Sequence, residues 1–162
     1  MAAKKPNRVE YVSGLGFQPD CRAVAFLILK DEPNADAYPV FEAIEKEDGD
    51  RRRYLRASFD LWMRYGINDR RFHGWPNNAD YKGCFTFKWR EKSQHNRFYG
   101  FVCHPRNDVP GFQLCVLATH GRKNSEDTDF TLLDRVLGWW GSQGVSKLID
   151  AATQDWLKRK GE

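Results

Sequence analysis

Residues 84–123 read CFTFKWREKSQHNRFYGFVCHPRNDVPGFQLCVLATHGRK and contain three strand patterns in close succession. From Cys84 to Arg90, aromatic residues alternate with small or charged ones, which is the period of two of a strand with two different faces. Arg97–Cys103 is rich in aromatic and branched residues, and Phe112–His120 continues the pattern after the turn signal of residues 107–111. Because the connectors are short, the three segments predict an antiparallel meander.

Helical and further strand patterns flank the meander. Two amphipathic helices are predicted before it and two after it, because their apolar residues recur with the helical period. Residues 8–12 alternate like a short strand, whereas the apolar run Cys21–Leu29 fits a buried strand and a short helix equally. The predicted helices are Ala35–Lys46, Asp50–Tyr65, one that begins near Thr128, and Val145–Lys158. The predicted fold is therefore α+β: a small antiparallel, curled sheet, made of the three-strand meander plus an N-terminal strand and packed by N-terminal and C-terminal helices.

Length and composition exclude several classes of protein. With 162 residues, the chain has the size of one domain. Its longest apolar run, Ala23–Leu29, is far shorter than the ~20 residues of a membrane-spanning helix. The first residues also lack the apolar stretch of a secretion signal. We therefore expect a cytoplasmic protein with no membrane partner.

The cysteines form no metal or redox motif. The sequence contains no Cys-x-x-Cys pair, and no histidine lies at the close spacing from a cysteine that zinc sites favour. Three of the four lie in strand-like apolar runs, where a thiol packs as a small apolar group. We therefore predict reduced, structural thiols, no metal and no cofactor.

The net charge of +4 is unevenly distributed. Residues 51–106 hold 13 Lys or Arg against four acidic residues, and they also hold 13 of the 23 aromatic residues. Basic residues interleaved with aromatic ones suit phosphate contact and base stacking, so nucleic acid is the first partner to consider. The alternative is a solvated basic face beside an aromatic core.

Strand alternation predicts where several cations converge. Lys88 and Arg90 are two residues apart and share a face, while Arg97 and Tyr99 lie across the hairpin, where their side chains can join that face. A cluster of like charges depresses a lysine pKa and favours a base, whereas arginine stays charged and holds phosphate bidentately. Three more candidates follow the third strand, namely His120, Arg122 and Lys123.

These segments resemble a known family. The run Phe87-Lys-Trp-Arg, the run His95-Asn-Arg-Phe-Tyr-Gly-Phe-Val and the run Leu114–Lys123 are followed by a predicted helix that contains Leu132, Asp134, Arg135 and Val136. This order is similar to the RelE/ParE toxin superfamily, especially its phage-derived HigB-like members. The resemblance covers about residues 50–140. It implies a single domain of residues 1–162, with an N-terminal elaboration at 1–49, a RelE-like core at 50–140 and a C-terminal helical extension at 141–162.

The resemblance implies a toxin that cleaves mRNA without a metal, by attack of the ribose 2′-hydroxyl on the adjacent phosphate. The implied partners are RNA or the ribosome, and a small antitoxin protein. The resemblance implies that Lys88 is the base, that Arg90 completes the basic pair and that Arg97 stabilises the pentavalent phosphate. The family's basic residue after the last strand is matched by Arg122 or by the catalytic candidate Lys123. His120, whose ordinary pKa is near neutral, is the candidate proton donor. The predicted RNA-binding residues are Arg64, Arg70, Arg71, Trp89, Tyr99 and Arg122.

Two other functions fit the same sequence. One is a non-catalytic phage or mobile-element protein of the same fold that binds and inhibits a host protein, as ParE-like relatives do. The other is a basic nucleic-acid-binding domain without catalysis. The family's tyrosine after the last basic residue has no counterpart here, because the nearest aromatic residue, Phe130, lacks a hydroxyl. Fold alone does not choose among these functions.

Overall fold

A computed structural model describes residues 7–15, 20–47, 49–66, 69–125 and 127–160. Within these residues the chain forms six strands and four helices, so the predicted α+β class is confirmed. The strands are β1 (Arg8–Tyr11), β2 (Arg22–Ile28), β3 (Phe72–Gly74), β4 (Cys84–Glu91), β5 (Gln94–Cys103) and β6 (Gln113–Lys123). The helices are α1 (Ala37–Glu47), α2 (Asp50–Tyr65), α3 (Phe130–Trp140) and α4 (Gln143–Lys160).

The sheet is larger than the predicted meander. Its strand order is β1-β2-β6-β5-β4-β3, and its pairs are antiparallel except for β2, which runs parallel to β6. The antiparallel meander β4-β5-β6 is present, but the prediction of a small, wholly antiparallel sheet is wrong. The ambiguous apolar run is strand β2, whose central residues are buried because both faces of the sheet are covered there. Strand β3 lies in a segment rich in turn residues, which hid it from sequence analysis.

Helices α1 and α2 cover one side of the sheet, called here the α1/α2 face. Its core is aromatic, with Phe26 at 5.3 Å from Phe98 and Phe59 at 4.8 Å from Phe87 between ring centroids, both edge to face. These four rings are fully buried. Full burial of one such side chain contributes ~1.5–3 kcal/mol to stability.

Helices α3 and α4 cover only part of the opposite side, called here the α3/α4 face. Leu133 and Val136 of α3 belong to one buried apolar cluster with Leu114 and Val116 of β6 and with residues of β1 and β2. The N-cap Asp129 accepts hydrogen bonds from the first amides of α3, which fixes where this helix begins. At the end of the β4–β5 hairpin, by contrast, Arg90 is exposed. The hairpin end of this face is therefore open.

One irregularity in the sheet determines which way the end of β6 faces. The register between β5 and β6 shifts at Tyr99 and Gly100, so β6 carries one extra residue. A side chain at Gly100 would place its Cβ 1.9 Å from the carbonyl oxygen of Val116, so only glycine fits. Because side chains alternate between faces, one extra residue moves the following residues to the other side. His120, paired with Phe98, therefore joins the α1/α2 face.

Candidate functional site

A cleft of about 520 Å³ lies at the open hairpin end of the α3/α4 face. Strand pairing assembles it, because Lys88 lies directly opposite Arg97, and Arg90 lies opposite His95. Residues directly opposite each other in antiparallel strands share a face, so the predicted convergence of Lys88, Arg90 and Arg97 is confirmed. Strand β3 contributes His73, which pairs with Thr86 on the same face.

The cleft is strongly cationic. The described residues that line it include four Lys or Arg and two His, and no Asp or Glu. The cations are Arg70, Lys88, Arg90 and Arg97. The Arg97 side chain is almost buried, at 7% exposure, and its Nη1 donates a hydrogen bond to Thr128 Oγ1 at 3.3 Å. A concentration of fixed positive charge in a cleft attracts anions, and arginine can bind phosphate in a bidentate geometry.

His73 is a cleft residue that was not among the candidates predicted from the sequence. Its Nδ1 lies 3.2 Å from the carbonyl oxygen of Gly74, which fits donation from Nδ1 and leaves Nε2 as an acceptor. Burial lowers the pKa of His73, and the charges of Lys88 and Arg97 lower it further, against a raising effect of the bond to Gly74. The lowered pKa favours the neutral ring, which can accept a proton. The pairing of the short strand β3 with β4 carries this histidine to the cleft. Because β3 was not predicted from the sequence, the position of His73 was not predicted either.

Lys123 lies beside the cleft and is paired with a carboxylate. It is opposite His95 in the sheet, and its Nζ lies 3.8 Å from Asp129 Oδ2. A small adjoining pocket is lined by Lys123 together with His95 and Arg97. The predicted position of Lys123 near the cluster is therefore confirmed, although Asp129 offsets part of its charge.

His120 does not join the cluster. It stacks on Trp89 at 5.7 Å between ring centroids, and its Nε2 lies 2.8 Å from Asn96 Oδ1, on the α1/α2 face. Burial lowers the pKa of His120, against the raising effect of the Asp36 and Glu91 carboxylates. The bulge at Gly100 places His120 on the α1/α2 face, opposite to the face that carries Lys88 and Arg97.

The two aromatic residues predicted to contact RNA are buried. Trp89 is 4% exposed and packs in the α1/α2 core, where its Nε1 donates to Glu91. Tyr99 is 1% exposed, and its hydroxyl oxygen accepts a hydrogen bond from the backbone N–H of Asp129 at 3.1 Å. Neither ring offers an open face for base stacking, so both are structural in this arrangement.

The four arginines predicted to contact RNA lie in different places. Only Arg70 lines the cleft. The Arg71 guanidinium lies 4.8 Å from the ring centroid of Tyr54. Arg122 is exposed and donates from Nε to Gln94, and Arg64 is exposed in the last turn of α2.

Four further arginines of the basic segment lie on α2 and are paired with carboxylates. Glu45 of α1 accepts hydrogen bonds from Arg52 Nε at 3.0 Å and Arg56 Nε at 2.9 Å. Arg51 Nη1 donates to Glu91 at 2.7 Å, and its guanidinium also pairs with Glu47. The hydrogen bond from Arg56 and the pairing with Arg52 hold the pKa of Glu45 below its ordinary value, although burial opposes this. Residues 51–106 therefore do not form one continuous cationic surface.

Family models, curated proteins and solved structures gave no significant match to the chain. The RelE/ParE resemblance and its implied function therefore stay predictions.

Across the described ranges, none of the helices has the length and apolar character needed to cross a bilayer. In the same residues, no group of three or more His, Cys, Asp or Glu side chains is placed to hold a metal ion.

Proposed function

We propose that the chain is a toxin-like RNA-binding protein whose cationic cleft cleaves RNA by attack of the ribose 2′-hydroxyl. The observation that carries the proposal is the direct pairing of Lys88 with Arg97 in a cleft that Arg70 and Arg90 also line. The RelE/HigB resemblance supports it, because three of the implied catalytic positions, Lys88, Arg90 and Arg97, line this cleft. A small antitoxin protein that covers this cleft would neutralise the activity.

The cations have distinct roles in the proposed reaction. Arg97 is held by Thr128 and stabilises the charge that develops on the pentavalent phosphate. Lys88 and Arg90 bind the same phosphodiester before and during the reaction. Because these groups are fixed by strands β4 and β5, little reorganisation is needed when the charge develops.

Proton transfer is assigned to the two histidines of the cleft. The neutral His73 accepts the proton of the 2′-hydroxyl as the bond between O2′ and phosphorus forms. The bond between phosphorus and O5′ breaks, and His95 supplies the proton to O5′. Lys88, the base suggested by the family resemblance, then acts as a phosphate ligand. The His73→Gln variant decides between the two candidates for the base.

The test is a cleavage assay with purified protein and defined RNA, with and without translating ribosomes, in excess chelator. We expect products that end in a 2′,3′-cyclic phosphate, and no cleavage where a 2′-deoxy nucleotide replaces the attacked ribose. His73→Gln should lower the rate by about 10²-fold while leaving RNA affinity unchanged. Arg53→Gln, on the exposed side of α2, is the matched control and should behave as the parent.

The other outcomes separate the alternative functions. RNA that is bound but stays intact under both conditions contradicts catalysis and supports a nucleic-acid-binding domain. Failure to bind RNA, together with specific retention of a host protein, contradicts the whole proposal and supports the inhibitor. Unchanged cleavage by His73→Gln with loss of cleavage by Lys88→Gln would reassign the base.

A further inference from the structure

The cleft continues into a second hollow along α2. This hollow has a volume of about 460 Å³ and is lined by residues of α2 and of the end of β4. It shares Tyr54, Trp89 and Arg90 with the cleft, so the two are adjacent and have a common wall. Its size lies within the ~300–1,000 Å³ of small-ligand pockets. A phosphate bound at Lys88 and Arg97 would therefore lie beside a space that accommodates a planar group.

Tyr54 is the aromatic residue on that common wall with an accessible ring. It is 37% exposed, whereas Trp89 is buried in the core. Tyr54 lies on α2, a helix held by buried Leu55 and Phe59, so its backbone position is fixed. An exposed aromatic ring next to a phosphate site offers a stacking surface that every nucleobase can use.

Arg71 fixes the Tyr54 ring on the strand side. Its guanidinium lies 4.8 Å from the ring centroid, within the range of a cation–π contact. The carbonyl oxygen of Arg71 accepts a hydrogen bond from the backbone N–H of Lys88, with 2.7 Å between oxygen and nitrogen. One residue therefore ties the aromatic ring to the strand that carries the phosphate-binding lysine. A ring oriented in this way loses little conformational entropy when a base stacks on it.

We propose that Tyr54 and the hollow beside it form a nucleobase subsite, which makes single-stranded RNA the preferred substrate of the cleft. This inference rests on the proposed function, because it assigns the base next to the phosphate held by Lys88 and Arg97. Bases inside a duplex are stacked on their neighbours and do not reach the ring. Stacking is tolerant of base identity, so the subsite selects unpaired nucleotides more than a particular sequence.

The experiment measures the affinity of the full-length protein for a short fluorescent RNA in three forms. The first is single-stranded and the second is a duplex. The third is a series of single strands, each with one abasic nucleotide at a different position. Tyr54→Ala should weaken binding of the single strand about tenfold and leave duplex binding unchanged. Tyr54→Phe should restore binding, because it keeps the ring. Tyr65→Ala is the matched control, since Tyr65 is 60% exposed on the same helix and lines neither cavity.

An abasic nucleotide at the right position should weaken binding by the parent about tenfold and by Tyr54→Ala hardly at all. If the parent binds the single strand through Lys88 and Arg97 and Tyr54→Ala binds equally well, the subsite is refuted and the proposed function stands. If Lys88→Gln and Arg97→Gln bind RNA with the affinity of the parent, the proposed function is refuted. The subsite is then refuted too, because it depends on that function. Thermal melting of each variant separates a local loss from unfolding.

Discussion

Two groups of cations from one basic segment have opposite surroundings. On α2, the guanidinium groups of Arg51, Arg52 and Arg56 form ion pairs with carboxylates of α1 and of the β4–β5 hairpin. On the strands, Lys88 and Arg97 face a cleft whose described lining residues include no Asp or Glu. Both groups belong to residues 51–106, yet among the described residues it is the second group that lines a cleft with four Lys or Arg.

The difference shows what a count of charges leaves out. The acids that neutralise the α2 arginines come mainly from α1, which lies outside the basic segment in sequence but packs against α2. A partner carboxylate at hydrogen-bond distance cancels most of the field of an arginine at longer range. Strands β4 and β5 instead place Lys88 directly opposite Arg97, so two cations share one end of the sheet.

The largest effect is expected for Arg97. Arg97→Gln should lower the rate of RNA cleavage by about 10²- to 10³-fold, because it removes a charged donor from the phosphate in the transition state. Arg56→Gln, an equal loss of charge on α2, should leave the rate unchanged. Single-turnover cleavage assays measure both. Equal losses in the two variants would mean that the overall charge matters and the cleft does not.

The converse variant tests the α2 group. Glu45→Gln should lower the free energy of unfolding by about 2 kcal/mol, because a partly buried carboxylate then no longer holds two arginines. RNA affinity should stay the same or rise slightly, since the cleft is untouched. Urea unfolding followed by circular dichroism gives the first quantity and a binding titration the second. A large loss of RNA affinity without loss of stability would place the α2 arginines in the binding site.

His73 reports on the cleft charges through its pKa. Burial lowers the pKa, and Lys88 and Arg97 lower it further, so Lys88→Gln should raise the pKa of His73 and leave that of His120 in place. Proton NMR titration of the histidine ring signals measures both. An unchanged pKa of His73 in Lys88→Gln would show that the lysine charge does not act on the cleft.

The same shift has a consequence for stability. Because the pKa of His73 is lower in the folded chain than its ordinary value near 6.5, the unfolded chain binds more protons once the pH falls below about 7. The stability is therefore full above that pH and falls as the pH drops through 6.5. His73→Gln should flatten this part of the pH profile in urea unfolding. An equally steep profile in the variant would assign the loss to His120 alone.

The smallest effects are expected at basic residues that lie outside the cleft. Arg64→Gln and Arg122→Gln should each change RNA affinity by less than about twofold at physiological salt, because neither is among the described residues that line the cleft and salt screens exposed charges. A binding titration measures this. A tenfold loss in either variant would extend the binding surface beyond the cleft.

The sequence predicts local elements better than strand partners. Helix α2 is predicted as Asp50–Tyr65 and observed with these bounds, because its apolar stripe and the left-handed Gly66, whose N–H donates to Trp62, are local signals. The pairing of β2 with β6 joins residues about 90 positions apart, such as Arg22 and Gln113. Periodicity and composition carry no information on that pairing, so the mixed sheet was not predicted.

The site shows the same division. Alternation along β4 and the hairpin is enough to place Lys88, Arg90 and Arg97 on one face. The placement of His73 depends on the three-residue strand β3, and that of His120 depends on a bulge that inserts one residue. A shift of one residue exchanges the two faces of a strand, so an undetected bulge reverses every later assignment.

The central claim is that the cleft cations, and not the basic segment as a whole, bind RNA. It is tested most directly by two triple variants that each lose three positive charges. The cleft variant carries Arg70→Gln, Lys88→Gln and Arg90→Gln. The α2 variant carries Arg52→Gln, Arg53→Gln and Arg56→Gln. The measurement is the slope of log affinity for single-stranded RNA against log salt concentration, with folding checked by circular dichroism. The cleft variant should lose about two units of slope, at ~0.7 per phosphate contact, and the α2 variant should keep the parent's slope. An equal loss of slope in both variants would contradict the claim.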